Sequence, residues 1–404
     1  MASKDPVVGV GIIGLGGASG AMIPKFAKNP HFKLAAAADI DEEILGRFHK
    51  DYPDTEVYND AAGLVASKSV DLVYIATPNN FHTEHARMAL EAKKHVLIEK
   101  PMTVDIEGSQ AMVDTAKRNG VLLGVNVKHS FEPRVLRLRQ MARDGELGRL
   151  RMINHWRFQD WLYRPRSPEE LTPQAGGGIL WRQGPHQFDI IRTIAGGMVR
   201  SLRGTADTWD PARRVPGAHA AFLDFEDGTL ATAVYSGYDH FDTREFTDPG
   251  YAPDAEHHAA ARRELREAPS PEWEADAARE ERYGGNRGGG PSRSASTATP
   301  ATGSMGWIMG GPMIVSFDQG DVRLTRNGLT VYGDEEMREI PLGVKGEDGR
   351  DGRINTYYEA IAHDRPLPAD GSWGMATLEV LLAIDRSGRE RKEVFLEHQT
   401  PTVD

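Results

Sequence analysis

Two side chains in this sequence, those of Lys100 and His186, have the chemistry to move a proton near neutral pH. Lys100 follows the apolar run His95–Ile98 and precedes Pro101, whose ring restricts the backbone of the lysine. His186 begins a predicted helix, and Asp189 lies one turn further on, within reach to orient the imidazole ring. We therefore expect acid–base chemistry on a substrate hydroxyl. The alternatives are a surface lysine in a salt bridge and a histidine that merely begins a helix.

A glycine-rich turn supplies the second chemical signal. Val7–Ile13 is an apolar run, and Gly14-Leu15-Gly16-Gly17-Ala18-Ser19-Gly20 follows it directly. Gly14 permits a tight turn, Gly16 lets the backbone approach a pyrophosphate, and the next helix presents its amides to it. Ser19 occupies the third position of the usual glycine fingerprint. A turn that only connects a strand to a helix is the alternative.

The second predicted strand ends at Asp39, where a carboxylate can hold the ribose diol of a dinucleotide. Residues 40–43, Ile40-Asp41-Glu42-Glu43, include no arginine to pair with a 2′-phosphate. The sequence therefore predicts NAD rather than NADP. Capping of the following helix is the other role open to Asp39, and the two roles are compatible. Thr77 and Pro78 follow the third strand, at an end that normally lines the cofactor crevice.

These residues need a scaffold, and the first 125 residues alternate short apolar runs with helical patterns. This alternation is typical of βαβ units around a parallel sheet, a Rossmann domain. The predicted strands are Val7–Ile13, Lys33–Ala38, Leu72–Ala76, His95–Ile98 and Leu122–Val125, and the predicted helices are Glu42–Lys50, Thr83–Ala92 and Ile106–Asn119.

After Lys128 the pattern predicts an α+β domain with an open, largely antiparallel sheet, which divides the chain into residues 1–128 and 129–404. Turn residues at 226–228 and 319–321 indicate two hairpins. From about 243 to 304, Ala, Glu, Arg, Pro, Gly and Ser dominate, so we expect a mobile polar insert. The predicted strands are Met152–Phe158, Leu202–Ala206, Ala220–Phe225, Leu230–Tyr235, Met313–Phe317, Val322–Thr325 and Leu329–Tyr332, and the last helices are Arg353–His363 and Met375–Gly388.

Composition limits the possible partners. The 59 acidic and 48 basic residues give a net charge of −11, which argues against a nucleic acid or an anionic membrane. The absence of cysteine excludes disulfides, thiolate metal sites and a cysteine nucleophile. No run of about 18 apolar residues is present, and the first residues lack the pattern of a signal peptide, so a cytoplasmic location is expected. The histidines join no carboxylate cluster at metal-ligand spacing, so we expect no metal.

Several motifs resemble those of the glucose–fructose oxidoreductase and inositol dehydrogenase family, Gfo/Idh/MocA. Ala76-Thr77-Pro78 with Asn80 and His82, and Glu99-Lys100-Pro101, are similar to its cofactor-domain signatures. Gly176–Gly178 and His186–Asp189 resemble its substrate-domain motif. The resemblance implies an open mixed sheet that bears the substrate and hydride transfer to or from nicotinamide. Together with the glycine turn it implies a cofactor-binding set of Gly14, Gly16, Gly17, Ala18, Ser19, Asp39, Thr77, Pro78, Asn80, His82, Glu99, Lys100 and Asn126.

Within that family, Asp160–Leu171 and Tyr235–Asp242 are similar to phthalate cis-4,5-dihydrodiol dehydrogenases. The family usually has an aspartate four residues before the histidine, where this chain has Arg182. A guanidinium there suits a carboxylated substrate through a bidentate pair. Pairing with Glu169, Glu170 or the surface is the alternative for the arginines. The predicted substrate-binding residues are Arg164, Arg166, Arg182, Trp161 and Tyr163, since basic forks beside flat aromatics suit a planar ring with carboxylates.

The sequence thus favours NAD-dependent dehydrogenation of phthalate 4,5-cis-dihydrodiol to 4,5-dihydroxyphthalate in aromatic degradation. Lys100 and His186 would share the acid–base work, with the proton acceptor left open between them. A sugar or inositol dehydrogenase of the same family and a cofactor-sensing regulator without catalysis are the alternatives. We also expect a homo-oligomer through an apolar face of the C-terminal sheet.

Overall fold

The computed structural model describes residues 6–238, 241–247, 271–280, 282–284, 311–325, 327–342 and 349–404, together with positions 252, 256, 260, 263 and 267. Positions 239 and 240, within one of the stretches that resemble dihydrodiol dehydrogenases, lie outside the described residues. So does most of the insert predicted at 243–304.

Six strands form a parallel sheet in the N-terminal part, in the order β3-β2-β1-β4-β5-β6. Helices cover both faces, so β1 and β4 are buried along their whole length. The strand order reverses between β1 and β4, and ligands of open α/β sheets bind at such a switch point. The strands are β1 Val8–Ile13, β2 Phe32–Ala38, β3 Glu56–Tyr58, β4 Leu72–Ile75, β5 His95–Ile98 and β6 Leu123–Val125. The helices are α1 Gly17–Lys28, α2 Glu42–Asp51, α3 Ala61–Ala66, α4 His82–Glu91 and α5 Ile106–Asn119.

The predicted Rossmann sheet is therefore confirmed, with one strand more than the sequence pattern indicated. All five predicted strands are present within one or two residues at their ends. The additional strand, Glu56–Tyr58, has three residues at the sheet edge, and none of them is buried. So short a strand leaves no alternation of apolar and polar residues to detect.

A second sheet of nine strands follows, in the order β14-β13-β12-β11-β7-β10-β9-β8-β15. Only β7 and β10 pair in parallel, so the sheet is open and largely antiparallel as predicted. Both predicted hairpins are present, between β9 and β10 and between β11 and β12. The strands are β7 Leu150–Phe158, β8 Val199–Asp207, β9 Ala218–Phe225, β10 Leu230–Ser236, β11 Met313–Phe317, β12 Gly320–Thr325, β13 Gly328–Gly333, β14 Met337–Pro341 and β15 Val394–Phe395.

Helices cover the inner face of this sheet and also link it to the Rossmann domain. The Gly349–His363 helix returns to the first sheet, where the Tyr357 hydroxyl donates to the carbonyl of Val96. The amide of Val125 donates to the carbonyl of Ala369 at 3.1 Å. The helices of this part are α6 Pro133–Asp144, α7 Ile179–Arg182, α8 Gly184–Ala195, α9 Arg244–Thr247, α10 Pro271–Arg279, α11 Gly349–His363 and α12 Gly371–Glu390. No helix among the described residues is long and apolar enough to cross a membrane.

Candidate active site

The glycine turn has the shape that a pyrophosphate needs. Gly14 has φ +91°, and a Cβ there would lie 2.9 Å from the carbonyl oxygen of Ala76. At Gly16 the nearest atom to a Cβ would be 4.0 Å away, so the backbone is open to a ligand. Helix α1 begins at Gly17 without a side-chain cap, which leaves its first amides unpaired. Ser19 closes the turn, since its buried hydroxyl donates to the Gly16 carbonyl at 2.8 Å.

Asp39 is tied to the glycine turn rather than to the next helix. Its Oδ2 accepts from the Leu15 amide at 2.7 Å, and its Oδ1 accepts from the Asp41 amide at 3.0 Å. The N-cap of α2 is Asp41, whose carboxylate accepts from the amides of Glu43 and Ile44. The capping alternative for Asp39 is thereby removed. Each carboxylate oxygen of Asp39 keeps acceptor capacity for a ribose hydroxyl, so the residues present fit NAD.

The end of β4 is fixed by a buried histidine. The Nε2 of His82 lies 2.9 Å from the carbonyl oxygen of Thr77, and its Nδ1 lies 3.0 Å from that of Pro101. Burial lowers the pKa of His82 to about 4, so the ring is neutral at pH 7. His82 therefore joins two crevice loops and does not face the cofactor. Asn80 is exposed, whereas the buried Asn79 has an Nδ2 without a partner in the described structure.

Behind Lys100 lies a network centred on Glu99. The Glu99 carboxylate accepts from the hydroxyl of Tyr74 at 2.6 Å and from the Nδ2 of Asn126 at 2.5 Å. Its negative charge raises the pKa of Lys100, whereas burial, the larger effect, lowers that pKa. Glu99 and Asn126 thus support the lysine. Tyr74 was missed because an aromatic residue in a buried strand reads as core.

Lys100 connects the two domains. Its Nζ donates to the main-chain carbonyl of Arg182 at 3.0 Å, which brings the end of β5 against α7. The Arg182 side chain is itself largely withdrawn from water: burial lowers its pKa, and to a smaller extent the negative charges of Glu170 and Glu169 raise it. No carboxylate of the described residues lies within ion-pairing distance of Arg182, and its buried Nε has no hydrogen-bond partner there. Glu170 and Glu169 therefore stabilise the half-buried guanidinium without a direct ion pair, which leaves it able to bind an anionic ligand.

His186 lies in the first turn of α8, with its ring edge against His129 at 4.9 Å between centroids. Burial and then the charge of Lys100 hold the pKa of His186 well below its usual value, so the imidazole is neutral at pH 7. Asp189 does not orient this ring, because its Oδ1 accepts from the indole N–H of Trp373 at 2.7 Å. A buried indole needs such an acceptor. His129, whose Nδ1 is hydrogen-bonded to Glu132 at 2.7 Å, is instead the residue whose ring packs against His186.

The aromatic and basic residues after β7 divide between core and surface. Trp161 and Tyr163 are buried in the hydrophobic core of the second domain. The Arg166 guanidinium lies 4.2 Å above the Trp161 ring and pairs with Glu170. Arg164 makes an exposed pair with Asp160 at 2.6 Å. Both arginines therefore form ion pairs within the chain, which was the alternative to binding a substrate carboxylate.

Comparison with known proteins assigns the chain to a family. A model described as "Oxidoreductase family, NAD-binding Rossmann fold" (GFO_IDH_MocA) matches residues 8–127. A GFO/IDH/MocA C-terminal domain model matches residues 135–247. The chain belongs to the Gfo/Idh/MocA oxidoreductase family. The predicted family is thus confirmed. The predictions that the chain is an oxidoreductase and that its cofactor is NAD are confirmed with it.

Relatives of this Gfo/Idh/MocA protein include a 1-carboxy-3-chloro-3,4-dihydroxycyclohexa-1,5-diene dehydrogenase of Comamonas testosteroni. The two are 32% identical, and the match covers 94% of each chain. A solved structure of a candidate dehydrogenase from Bordetella bronchiseptica RB50 superposes with a TM-score of 0.85 at 36% identity, over 96% of this chain and 100% of that one. Levoglucosan dehydrogenase in complex with NADH and levoglucosan shares the fold, with a TM-score of 0.72 at 18% identity over 96% and 99% of the chains.

A polar row crosses the inner face of the second sheet of this Gfo/Idh/MocA protein. Arg157 donates to the Oε1 of Gln159 at 2.8 Å, and the Nε2 of Gln159 donates to the hydroxyl of Tyr235 at 2.7 Å. That hydroxyl reaches the Oε1 of Gln183, the neighbour of Arg182, at 3.5 Å. This row was not predicted from the sequence. The signal was available, because Arg157 falls on the inward-facing positions of a strand with period two.

The described residues contain no group of three or more His, Asp or Glu side chains that could hold a metal ion. Four of the buried polar atoms that lack a hydrogen-bond partner in the described structure belong to candidate site residues. They are Asn79 Nδ2, Asn126 Oδ1, Arg182 Nε and His186 Nδ1.

Proposed function

We propose that this enzyme dehydrogenates a cis-dihydrodiol whose ring carries carboxylates, and that its substrate is phthalate 4,5-cis-dihydrodiol, converted to 4,5-dihydroxyphthalate. The observation that carries the proposal is Arg182, a largely buried guanidinium without an ion pair among the described residues. It lies on α7, and its carbonyl holds Lys100. A carboxylate bound there would stand close to the proton-transfer groups. The name of the Comamonas relative, a carboxylated dihydroxycyclohexadiene dehydrogenase, supports the same substrate class.

Two residues divide the proton chemistry in this proposal. The ammonium of Lys100 donates a hydrogen bond to the carbinol oxygen, and the charge of Glu99 helps to keep the ammonium protonated. The neutral imidazole of His186 accepts the hydroxyl proton, since one of its nitrogens has a free lone pair. NAD, when bound, accepts a hydride from the same carbon. The resulting ketone then tautomerises: the neighbouring ring carbon loses its proton and the carbonyl oxygen gains one, so the ring becomes aromatic, which favours the forward direction.

The polar row on the sheet gives the cleft further donors beside Arg182. Tyr235 lies in this row, and its hydroxyl is held by Gln159 and reaches Gln183. Burial raises the pKa of Tyr235, so the hydroxyl stays protonated and can donate. We expect the second carboxylate of a phthalate ring to be recognised by this row. A neutral polyol would leave Arg182 with only the charges of Glu170 and Glu169, neither of which makes a direct ion pair with it.

The proposal is tested by steady-state kinetics with NAD and three substrates, namely phthalate 4,5-cis-dihydrodiol, an uncharged cis-dihydrodiol of the same ring, and myo-inositol. We expect kcat/KM for the carboxylated diol to exceed that for the uncharged diol by at least about tenfold to a hundredfold. The reason is that the uncharged diol offers no carboxylate to form an ion pair with Arg182. Equal turnover of the two diols, or better turnover of inositol, would contradict the proposal.

We also propose that the outer face of the second sheet joins copies of the chain. Large apolar side chains are exposed there on the strands β7, β9 and β11, and a monomer rarely leaves such a patch in water. They are Met152, Trp156, Phe222 and Ile314. Light scattering after size exclusion tests this proposal, with a monomer as the result that contradicts it.

A further inference from the structure

The described part of the long polar segment touches both domains. It comprises residues 271–280 and 282–284, here called the bridging segment. Its helix, Pro271–Arg279, lies against the second domain, and the amide of Arg282 donates to the carbonyl of Arg279 at 3.0 Å. Tyr283 then enters the core of the Rossmann domain, where its side chain is fully buried.

Tyr283 is held by three kinds of contact. Its ring meets that of Phe48 edge to face, with 5.5 Å between centroids. Its hydroxyl donates to the Oδ2 of Asp51 at 2.7 Å, and its backbone amide donates to the carbonyl of Leu15 at 3.1 Å. The first two contacts anchor the side chain on α2. The third reaches the glycine turn itself.

The peptide groups of Leu15 are therefore held from two sides. Leu15 is the middle residue of Gly14-Leu15-Gly16, the turn that would carry the pyrophosphate. Its amide donates to Asp39, the candidate ribose ligand, at 2.7 Å, and its carbonyl accepts from Tyr283. Because backbone amides bind phosphate only when they point the same way, a turn fixed at both groups is organised before the cofactor arrives.

The other end of the bridging segment is bound to the substrate domain through Glu274. Its carboxylate accepts from the Nη1 of Arg213 at 2.6 and 2.8 Å, and its Oε1 also accepts from the backbone amide of Arg166 at 2.9 Å. Both Glu274 and Arg213 are buried. A buried pair of this kind is firmly held, since removal of one partner leaves the other charge uncompensated.

From these contacts we infer that the bridging segment is a positioning element of the cofactor site, and that Tyr283 and Glu274 set the affinity for NAD although neither is a cofactor ligand. Tyr283 fixes the glycine turn, and Glu274 fixes the segment that carries Tyr283 to the substrate domain. The inference concerns cofactor binding alone, so it stands whichever substrate the enzyme uses.

The test is the Kd of NADH for the full chain without substrate, measured from the change in NADH fluorescence on binding. Tyr283→Ala removes the ring and the bond to Asp51, so the backbone amide of residue 283 is no longer held against Leu15. The Kd should rise about tenfold, the scale of one lost hydrogen bond. Tyr283→Phe keeps the ring and loses only the bond to Asp51, so it should restore most of the affinity. Tyr52→Ala is the matched control, because Tyr52 packs on the same Phe48 at 5.1 Å. It should lower the Tm and leave the Kd unchanged.

A second pair of variants tests the distant anchor. Glu274→Gln should raise the Kd of NADH several-fold, and Asp276→Asn should not, since Asp276 is an exposed residue of the same helix that pairs with Arg279. If the Kd for both Tyr283→Ala and Glu274→Gln stays within about twofold of the natural enzyme while the Tm falls, the segment only stabilises the fold and the inference is overturned. Should Tyr283→Ala fail to fold, Glu274→Gln decides, and an unchanged Kd for that variant overturns the inference.

Discussion

The Nζ of Lys100 lies 3.0 Å from the main-chain oxygen of Arg182, and this one hydrogen bond joins the end of a Rossmann strand to the helix that precedes His186. Lys100 thereby stands close enough for its charge to lower the pKa of His186. The charge of Arg182 is also close to Lys100, since it lowers the pKa of the lysine. The proton-transfer groups and the candidate carboxylate ligand are thus placed together by a contact between the domains, which no local sequence pattern specifies.

Lys100 and His186 should each matter for turnover and little for cofactor binding. We expect Lys100→Met and His186→Asn to lower kcat by about 10²–10⁴, the usual effect of losing acid–base catalysis. Kinetics at saturating NAD measures this, and the NADH Kd serves as the control because neither side chain holds the glycine turn. Near-normal kcat in both variants would show that other groups move the proton.

The pH dependence should identify the proton acceptor. The pKa of His186 is held well below its usual value by burial first and by Lys100 second. The base is therefore lost only as the pH falls below that lowered pKa, and the acid limb of the kcat/KM profile should lie below about pH 6.5. In Lys100→Met the limb should move to higher pH, since a positive neighbour has gone. If the acid limb of the kcat/KM profile stays at the same pH in both Lys100→Met and His186→Asn, a group other than His186 is the proton acceptor.

Much of the fold followed from the sequence, because strands of four to nine residues leave clear apolar patterns. The site followed less well. Trp161 and Tyr163 looked like a platform for an aromatic ring, yet each gains more from burial in the core. Asp189 is at helical spacing from His186, but spacing does not reveal that Trp373 offers a buried donor. Contacts between residues distant along the chain decided both cases.

Cofactor preference is a case where a distant residue enters the argument. The sequence predicts NAD because no arginine follows Asp39, but Arg282 of the bridging segment lies 3.9 Å from the Oδ2 of Asp41. We expect kcat/KM to favour NAD over NADP, since Asp39 remains beside the ribose. Arg282→Ala should reduce the remaining use of NADP, because it removes the cation available to a 2′-phosphate. Equal or higher kcat/KM of the natural enzyme with NADP would contradict the preference for NAD.

Buried neutral histidines should make the fold sensitive to acid. Burial, and to a smaller extent the charge of Arg157, lower the pKa of His155 to about 3. The unfolded chain takes up this proton near its ordinary pKa of about 6.5. Because the folded chain does not bind this proton, the free energy of unfolding is highest above that pH. It decreases as the pH falls toward about 3, at up to about 1.4 kcal/mol per pH unit for this histidine. The free energy of unfolding in urea, measured from about pH 7 to 4, should vary less steeply for His155→Leu. An unchanged slope would contradict this prediction.

Arg182 offers the sharpest test of substrate class, with Arg164 as its matched control. Both are arginines of the second domain, but Arg164 makes an exposed pair with Asp160, whereas Arg182 is largely buried without an ion pair among the described residues. Exposed pairs contribute little, so Arg164→Met should leave kcat/KM for the carboxylated diol nearly unchanged.

Arg182→Met should lower that value by about one to two decades, because the substrate carboxylate loses its partner in a site with little water. Arg182→Asp should lower it further, since two negative charges would then face each other. The uncharged diol should be affected far less by either change at position 182. If Arg164→Met and Arg182→Met have equal effects on both diols, charge does not select the substrate, and a neutral polyol becomes the better candidate.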